Sequence, residues 1–211
     1  MEARRILHGR GKTVSGLEDV IVDLYPPVYL ISIYSDVGED VVKRVIDEYC
    51  QNAEVIVLQR RYLRPAQTEV LKGEIPKEHI VEEAGIKYLV DVMKNQNHGL
   101  FFDTANVRKY VHEHCKTGHL NVLNLFSYTC GFSLAALTAG PNTVINMEMS
   151  KSAIKIGSIN HELNGISKSS YRNYPYEIFK SFSKVKKLSP YDLVIIDPPT
   201  FQMGSFDYKK D

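Results

Sequence analysis

No stretch of the 211-residue sequence approaches the ~18–20 consecutive apolar residues that a membrane-spanning helix needs. The opening residues, MEARRILHGRGK, also lack the apolar core of a secretory signal peptide. Cysteine is scarce: Cys50, Cys115 and Cys130 are widely spaced and odd in number, which argues against a disulfide framework and fits a reducing, cytoplasmic setting. Neither sign of charge is in excess, because 26 Lys and Arg stand against 25 Asp and Glu for a net +1. A nucleic-acid partner must therefore be argued from local patches and not from the whole. Internal repeats and low-complexity tracts are missing, and 24% charged with 44% hydrophobic residues is ordinary globular usage. Disorder, collagen and coiled coil are thereby excluded as descriptions of the chain.

What is present falls into two halves. In the first, VIVDL and VYLISIY flank Pro26 and Pro27 and read as two strands around a tight connection. Val41, Val42, Val45, Ile46 and Tyr49 recur at helical spacing, and EVIVLQRRYL follows as a strand rich in β-branched residues. Residues 65–80, with Pro65, Gly73 and Pro76, read as a surface loop before a strand pair near 79–93. A small α+β domain over residues 1–98, a candidate RNA-binding accessory domain, is expected, closed by the linker-like NQNHG. From residue 99 to 211 strand and helix alternate: a helix near 105–116, strand NVLNLF, helix FSLAALTA, strand TVINME, a helix near 151–164, a weak strand near 170–173, a helix near 176–182, and the apolar run YDLVIIDPP. Such alternation predicts a parallel, doubly wound α/β sheet, and the last run reads as a strand buried on both faces.

Three features are predicted at the carboxyl ends of parallel strands, where open α/β sheets bind ligands. The turn SYTCG (127–131) leads from strand to helix; free amides at the helix start favour an anionic group, although a plain structural turn looks the same. Glu148 ends the next strand 17 positions after Gly131, close to the spacing at which a carboxylate meets the hydroxyls of a ribose. The bland alternative is that Glu148 caps the following helix, a task Ser150 would do as well. Finally, DPPTF (197–201) holds Asp197 in a rigid extended turn beside an aromatic ring able to stack on a planar base. On these residues alone a nicotinamide cofactor and S-adenosylmethionine are both possible, though the turn lacks the glycine spacing of a pyrophosphate loop.

The set GLFFDT (99–104), NLFSYTCGFS (124–133), NMEMSKSAI with the later NHELNG (146–165), and DLVIIDPPTF (192–201) resembles class I S-adenosylmethionine-dependent methyltransferases. It is most similar to the large-subunit ribosomal RNA methyltransferases of the RlmI and RlmK type, and HGRG…GLEDVIVDLYPP (8–27) and EEAGIKYLVDV (82–92) extend the likeness over nearly the whole chain. The resemblance implies a Rossmann-like methyltransferase domain and S-adenosylmethionine as cofactor. Phe126, Ser127, Tyr128, Thr129, Cys130 and Gly131 would meet its methionine part, Glu148 the ribose and Met149 the adenine face. Phe102 and Asp103 would close the site from a preceding strand. Asp197, Pro198, Pro199 and Phe201 would face the acceptor, a nucleic-acid base, with ribosomal RNA as partner. This sequence departs from the pattern at Cys130, where many relatives have glycine, and near Asn173 and Tyr174, where an acid is common. A nicotinamide-dependent oxidoreductase and a catalytically silent RNA-binding protein remain the alternatives.

The cluster His112, His114, Cys115 and His119 invites a metal reading, but Gly118 breaks the helix and polar groups are common at helix ends, so no metal is expected. Cys130 reads as a small residue filling a turn, not as a nucleophile. Among the basic groups, Arg60, Arg61 and Arg64, interleaved with Tyr62, suit RNA by phosphate contact and stacking. Four parallel strands are legible where the family has seven. A fragment of low activity is therefore expected, one that hides Leu193–Ile196 by self-association along the sheet edge or packs them poorly.

Overall fold

The computed structural model describes residues 1–12, 14–94 and 96–199, which form two compact units, Met1–Asn106 and a second from Val107 on. The first is built on a five-stranded sheet of order β1-β2-β3-β4-β5: β1 (Arg4–His8), β2 (Val20–Tyr25), β3 (Val28–Ile33), β4 (Val55–Arg60) and β5 (Gln67–Lys72). Tyr25 pairs with Val28 across Pro26-Pro27, which closes the β2–β3 hairpin as the sequence predicts. The parallel pair β3–β4 is connected through α1 (Glu39–Tyr49), whose apolar stripe packs Val45 against Val20, Val22, Ile31 and Leu58. Glu39 and Asp40 in its first turn suit the positive end of the helix dipole. A second hairpin, β6 (Ile80–Glu83) and β7 (Ile86–Leu89), turns through Ala84 and Gly85, both at positive φ.

Two strands were not expected. β1 lies in the basic start, where Arg5 forms an ion pair of 2.8 Å with Asp23 on β2 and so hides the apolar alternation. β5 lies within the stretch read as a loop; it is an edge strand exposed over nearly its whole length, so no buried face leaves a period in its sequence.

In the second unit α2 (Ala105–Cys115) leads to β8 (Asn121–Leu125), α3 (Gly131–Ala139), β9 (Thr143–Met147), α4 (Lys151–Leu163), β10 (Tyr171–Tyr174), the short α5 (Phe182–Lys187) and β11 (Leu193–Ile196). Its strands are all parallel in the order β10-β9-β8-β11. One face packs Val122, Val144 and Ile195 against Val111 and the nearly all-apolar α3; the other packs Leu123 and Met147 against Ile178 and Val185. The last helix begins later than the 176–182 predicted, after a 3-10 turn at Phe179–Ser181. β11 is likewise not buried on both faces. Among the described residues it is an edge strand, as β10 is at the other side, with Val194 46% and Ile196 62% exposed. The order reverses between β8 and β11, and such a switch point opens a crevice at the carboxyl ends of the strands.

Candidate functional site

The turn after β8 lies at that switch point and has an unusual backbone. Phe126, Tyr128 and Cys130 all have positive φ, at 58°, 48° and 66°. A side chain there costs roughly 1–2 kcal/mol per residue, so the turn needs external support. The amide of Ser127 donates to the Met147 carbonyl (3.0 Å), that of Cys130 to Ser127 (2.7 Å), and the Asn160 side chain of α4 to the Thr129 carbonyl (3.0 Å). Ser127, Thr129 and Cys130 are buried, and Phe126 and Tyr128 partly exposed.

Glu148 is the turn's other support. Its Oε2 accepts from the Tyr128 amide (3.0 Å) and its Oε1 from the Ser150 amide (2.8 Å). The capping role belongs to Ser150, whose Oγ accepts from the Ala153 amide. Glu148 thus joins the ends of β8 and β9, and each carboxylate oxygen, with one amide bound, keeps acceptor capacity.

Beneath the turn lies a feature the sequence reading missed. Asn124, Asn146 and Asn173 stand in register on β8, β9 and β10 and bond sideways, Asn124 Nδ2 to Asn146 Oδ1 and Asn146 Nδ2 to Asn173 Oδ1, both at 2.9 Å. Asn146 Nδ2 also donates to Ser133 Oγ (3.1 Å). Ser133 contacts His161 Nε2 (2.9 Å), and His161 Nδ1 lies 2.6 Å from the Gly157 carbonyl. That pattern fixes Nδ1 as the protonated nitrogen and Nε2 as the acceptor. Burial pushes the His161 pKa down to about 4, so the ring is neutral. Each of the runs NVLNLF, TVINME and YRNY carries an asparagine in its interior, but nothing in the sequence says that the three meet.

Cys130 fills the turn, as expected. Its thiol is fully buried and pushed up to about 12 by desolvation, which removes it as a nucleophile. Met149 is exposed beside Glu148. Asp197, Pro198 and Pro199 follow β11, whose Ile196 pairs with Leu125, so they emerge beside the start of the turn and are exposed. Phe201 lies outside the described residues. Phe102 and Asp103 are in a 3-10 turn and not a strand, within the first unit, where the Phe102 ring packs 4.8 Å from Tyr25. Arg60 is ion-paired with Glu69, Arg61 Nη1 donates to the Tyr34 hydroxyl (3.2 Å), and Arg64 is exposed. His114 stacks on Tyr110, His112 faces Glu113, and Cys115 is buried in the core.

The profile of the S-adenosylmethionine-dependent methyltransferase family matches residues 4–211. Ribosomal RNA large subunit methyltransferase I of Aeromonas salmonicida is 34% identical over 153 residues, covering 72% of this chain and 38% of that protein. Its counterpart in Alteromonas mediterranea is 30% identical over 196 residues, covering 88% and 49%. The chain thus spans less than half the length of these relatives. Among solved structures, a candidate SAM-dependent methyltransferase from Streptococcus mutans superposes with a TM-score of 0.80 at 25% identity, over 93% of this chain and 52% of that one. A candidate methyltransferase complexed with SAH does so at 0.81 and 25%, over 95% and 52%.

Proposed function

The chain belongs to the S-adenosylmethionine-dependent methyltransferase family, and from that premise we propose that it binds S-adenosylmethionine at the carboxyl ends of β8 and β9 and methylates a base in RNA, specifically ribosomal RNA, in the cytoplasm. The observation that carries this reading is Glu148, fixed by the Tyr128 and Ser150 amides at the strand end while keeping acceptor capacity on both oxygens. That pair of acceptors fits the two hydroxyl donors of a vicinal diol. Met149 offers an exposed apolar side chain to a planar base, and residues 126–131 form a supported backbone cradle for the amino-acid end.

Bound S-adenosylmethionine supplies an electrophilic sulfonium methyl. The residues of the chain do the rest by placement. The turn and Glu148 hold the donor in one pose, and the rigid Asp197-Pro198-Pro199 segment orients the acceptor, with Phe201 stacking on it. Restricting both partners to near-attack geometry is the main source of acceleration in such a site. Residues 1–98 serve as the accessory RNA-binding domain, with Arg61 and Arg64 as phosphate-contact candidates while Glu69 neutralises Arg60, and the open β11 edge is where copies of the chain associate.

Calorimetry with S-adenosylmethionine tests the cofactor site. Glu148→Ala is expected to lose about ten- to a hundredfold in affinity, the worth of about 1.5–3 kcal/mol for hydrogen bonds to a charged group. An unchanged Kd for the variant removes Glu148 from the site.

A further inference from the structure

Three arginines of the first unit are committed to carboxylates: Arg5 to Asp23, Arg44 to Glu48 and Arg60 to Glu69. Arg10 and Arg61 are not; among the described residues neither has a carboxylate within ion-pair distance. They nevertheless converge on one ring. The Arg10 guanidinium carbon lies 4.2 Å from the Tyr34 ring centroid, the Arg61 carbon 5.3 Å, and Arg61 also donates to the Tyr34 hydroxyl.

Topology explains the meeting of residues 51 positions apart. Tyr34 follows β3 and Arg61 follows β4, neighbours whose last residues Ile33 and Arg60 are in register, and Arg10 lies in the 3-10 turn that follows β1. All three strands run the same way, so their ends share one rim of the sheet. Lys12 and the exposed Arg64 extend the rim, while Asp19, engaged by the Ser35 hydroxyl, moderates it. Two cations so placed lie within the ~10 Å Debye length of 0.1 M salt and repel each other. The ring contact holds both against that repulsion, a cost that an anion spanning them relieves.

We propose that Arg10, Tyr34 and Arg61 form a phosphate clamp for single-stranded RNA, with Arg60 outside it because Glu69 already neutralises it. A planar guanidinium held on a ring presents its donors in the fork that suits a phosphodiester. The clamp rests on the proposed RNA substrate and replaces the run Arg60-Arg61-Arg64 with a site defined by three dimensions.

Fluorescence anisotropy of a labelled 20-nucleotide oligouridylate, titrated with the 211-residue chain over a series of salt concentrations, tests it. Each phosphate contact in a single strand contributes about −0.7 to the log–log salt slope. The slope of the Arg10→Ala/Arg61→Ala double variant is expected to be shallower by about 1.4, and that of Arg60→Ala to match the unaltered chain. Arg10→Lys/Arg61→Lys keeps the charge but not the fork, so it should keep the slope while losing affinity. The clamp is overturned by a double-variant slope equal to that of the unaltered chain, by an effect of Arg60→Ala as large, or by failure of the unaltered chain to bind the oligonucleotide. Circular dichroism of each variant confirms folding. Calorimetry with S-adenosylmethionine separates the two readings: intact cofactor binding with unchanged slopes fails the clamp alone, whereas the expected slope changes without any cofactor affinity fail the methyltransferase reading alone.

Discussion

Gly157 on α4 has no side chain because the turn beneath it has no room for one. A methyl group there would meet the Cys130 sulfur at 2.5 Å and its Cβ at 3.2 Å. Cys130 in turn is held at positive φ and fully buried, so it cannot swing away into solvent. Gly157→Ala is therefore expected to destabilise the second unit by about 1–3 kcal/mol of overpacking, although alanine is the better helix former by about 1 kcal/mol. Cys130→Gly removes both clashing atoms and the left-handed strain while giving up a buried thiol, and alone should change little. In the double variant alanine at 157 becomes neutral or stabilising. Urea denaturation of the four proteins measures the coupling; strictly additive midpoints would show that the two residues do not compete for the same space.

At the scale of elements, β11 exposes Val194 and Ile196 at the rim of a parallel sheet, and an apolar edge strand is a template for another copy. Sedimentation of the 211-residue chain should show concentration-dependent self-association, which Ile196→Lys abolishes by placing a charge on that edge. A monomer at all concentrations refutes edge pairing. This strand also shows what sequence can and cannot reveal. LVII was readable as a parallel strand, because apolar β-branched residues before Asp-Pro-Pro admit little else. Its place at the edge was not readable, because burial depends on which neighbours arrive. β5 failed for the same reason from the other side: a strand exposed on both faces carries no period. The helices α1 to α4 and the strands β2, β3, β4 and β8 to β10 were legible within a few residues, since each buries one stripe or both faces. Within the site, the turn and Glu148 were legible from spacing. The asparagine row was not, for it exists only once register sets Asn124, Asn146 and Asn173 side by side. Likewise Tyr34 gathers Arg10 and Arg61 only through strand order.

Across the whole molecule, each unit encloses a neutral histidine. His98, 6% exposed beside Gln59 in the first unit, is pushed down to about 4 by burial and then by the Arg61 charge. His161 in the second is pushed down to about 4 by burial alone. In the unfolded chain both titrate near the ordinary ~6.5, so the unfolded state takes up protons that the folded state refuses. Stability is therefore complete above about pH 6.5 and falls as the pH drops toward 4, by about 3 kcal/mol for each histidine. His79, lowered in the same direction, adds to the first unit's loss, while Asp23, whose carboxyl burial raises, opposes it only at the acid end. Urea midpoints between pH 7 and 4.5 should fall steadily, and His161→Gln and His98→Gln should each flatten the curve. A flat wild-type profile would mean that water reaches both rings. The size of the fall has a second use. If the units unfold together the two losses add to about 6 kcal/mol on one transition. If they unfold separately, each transition loses its own share, and each variant then rescues only the transition of the unit that contains it.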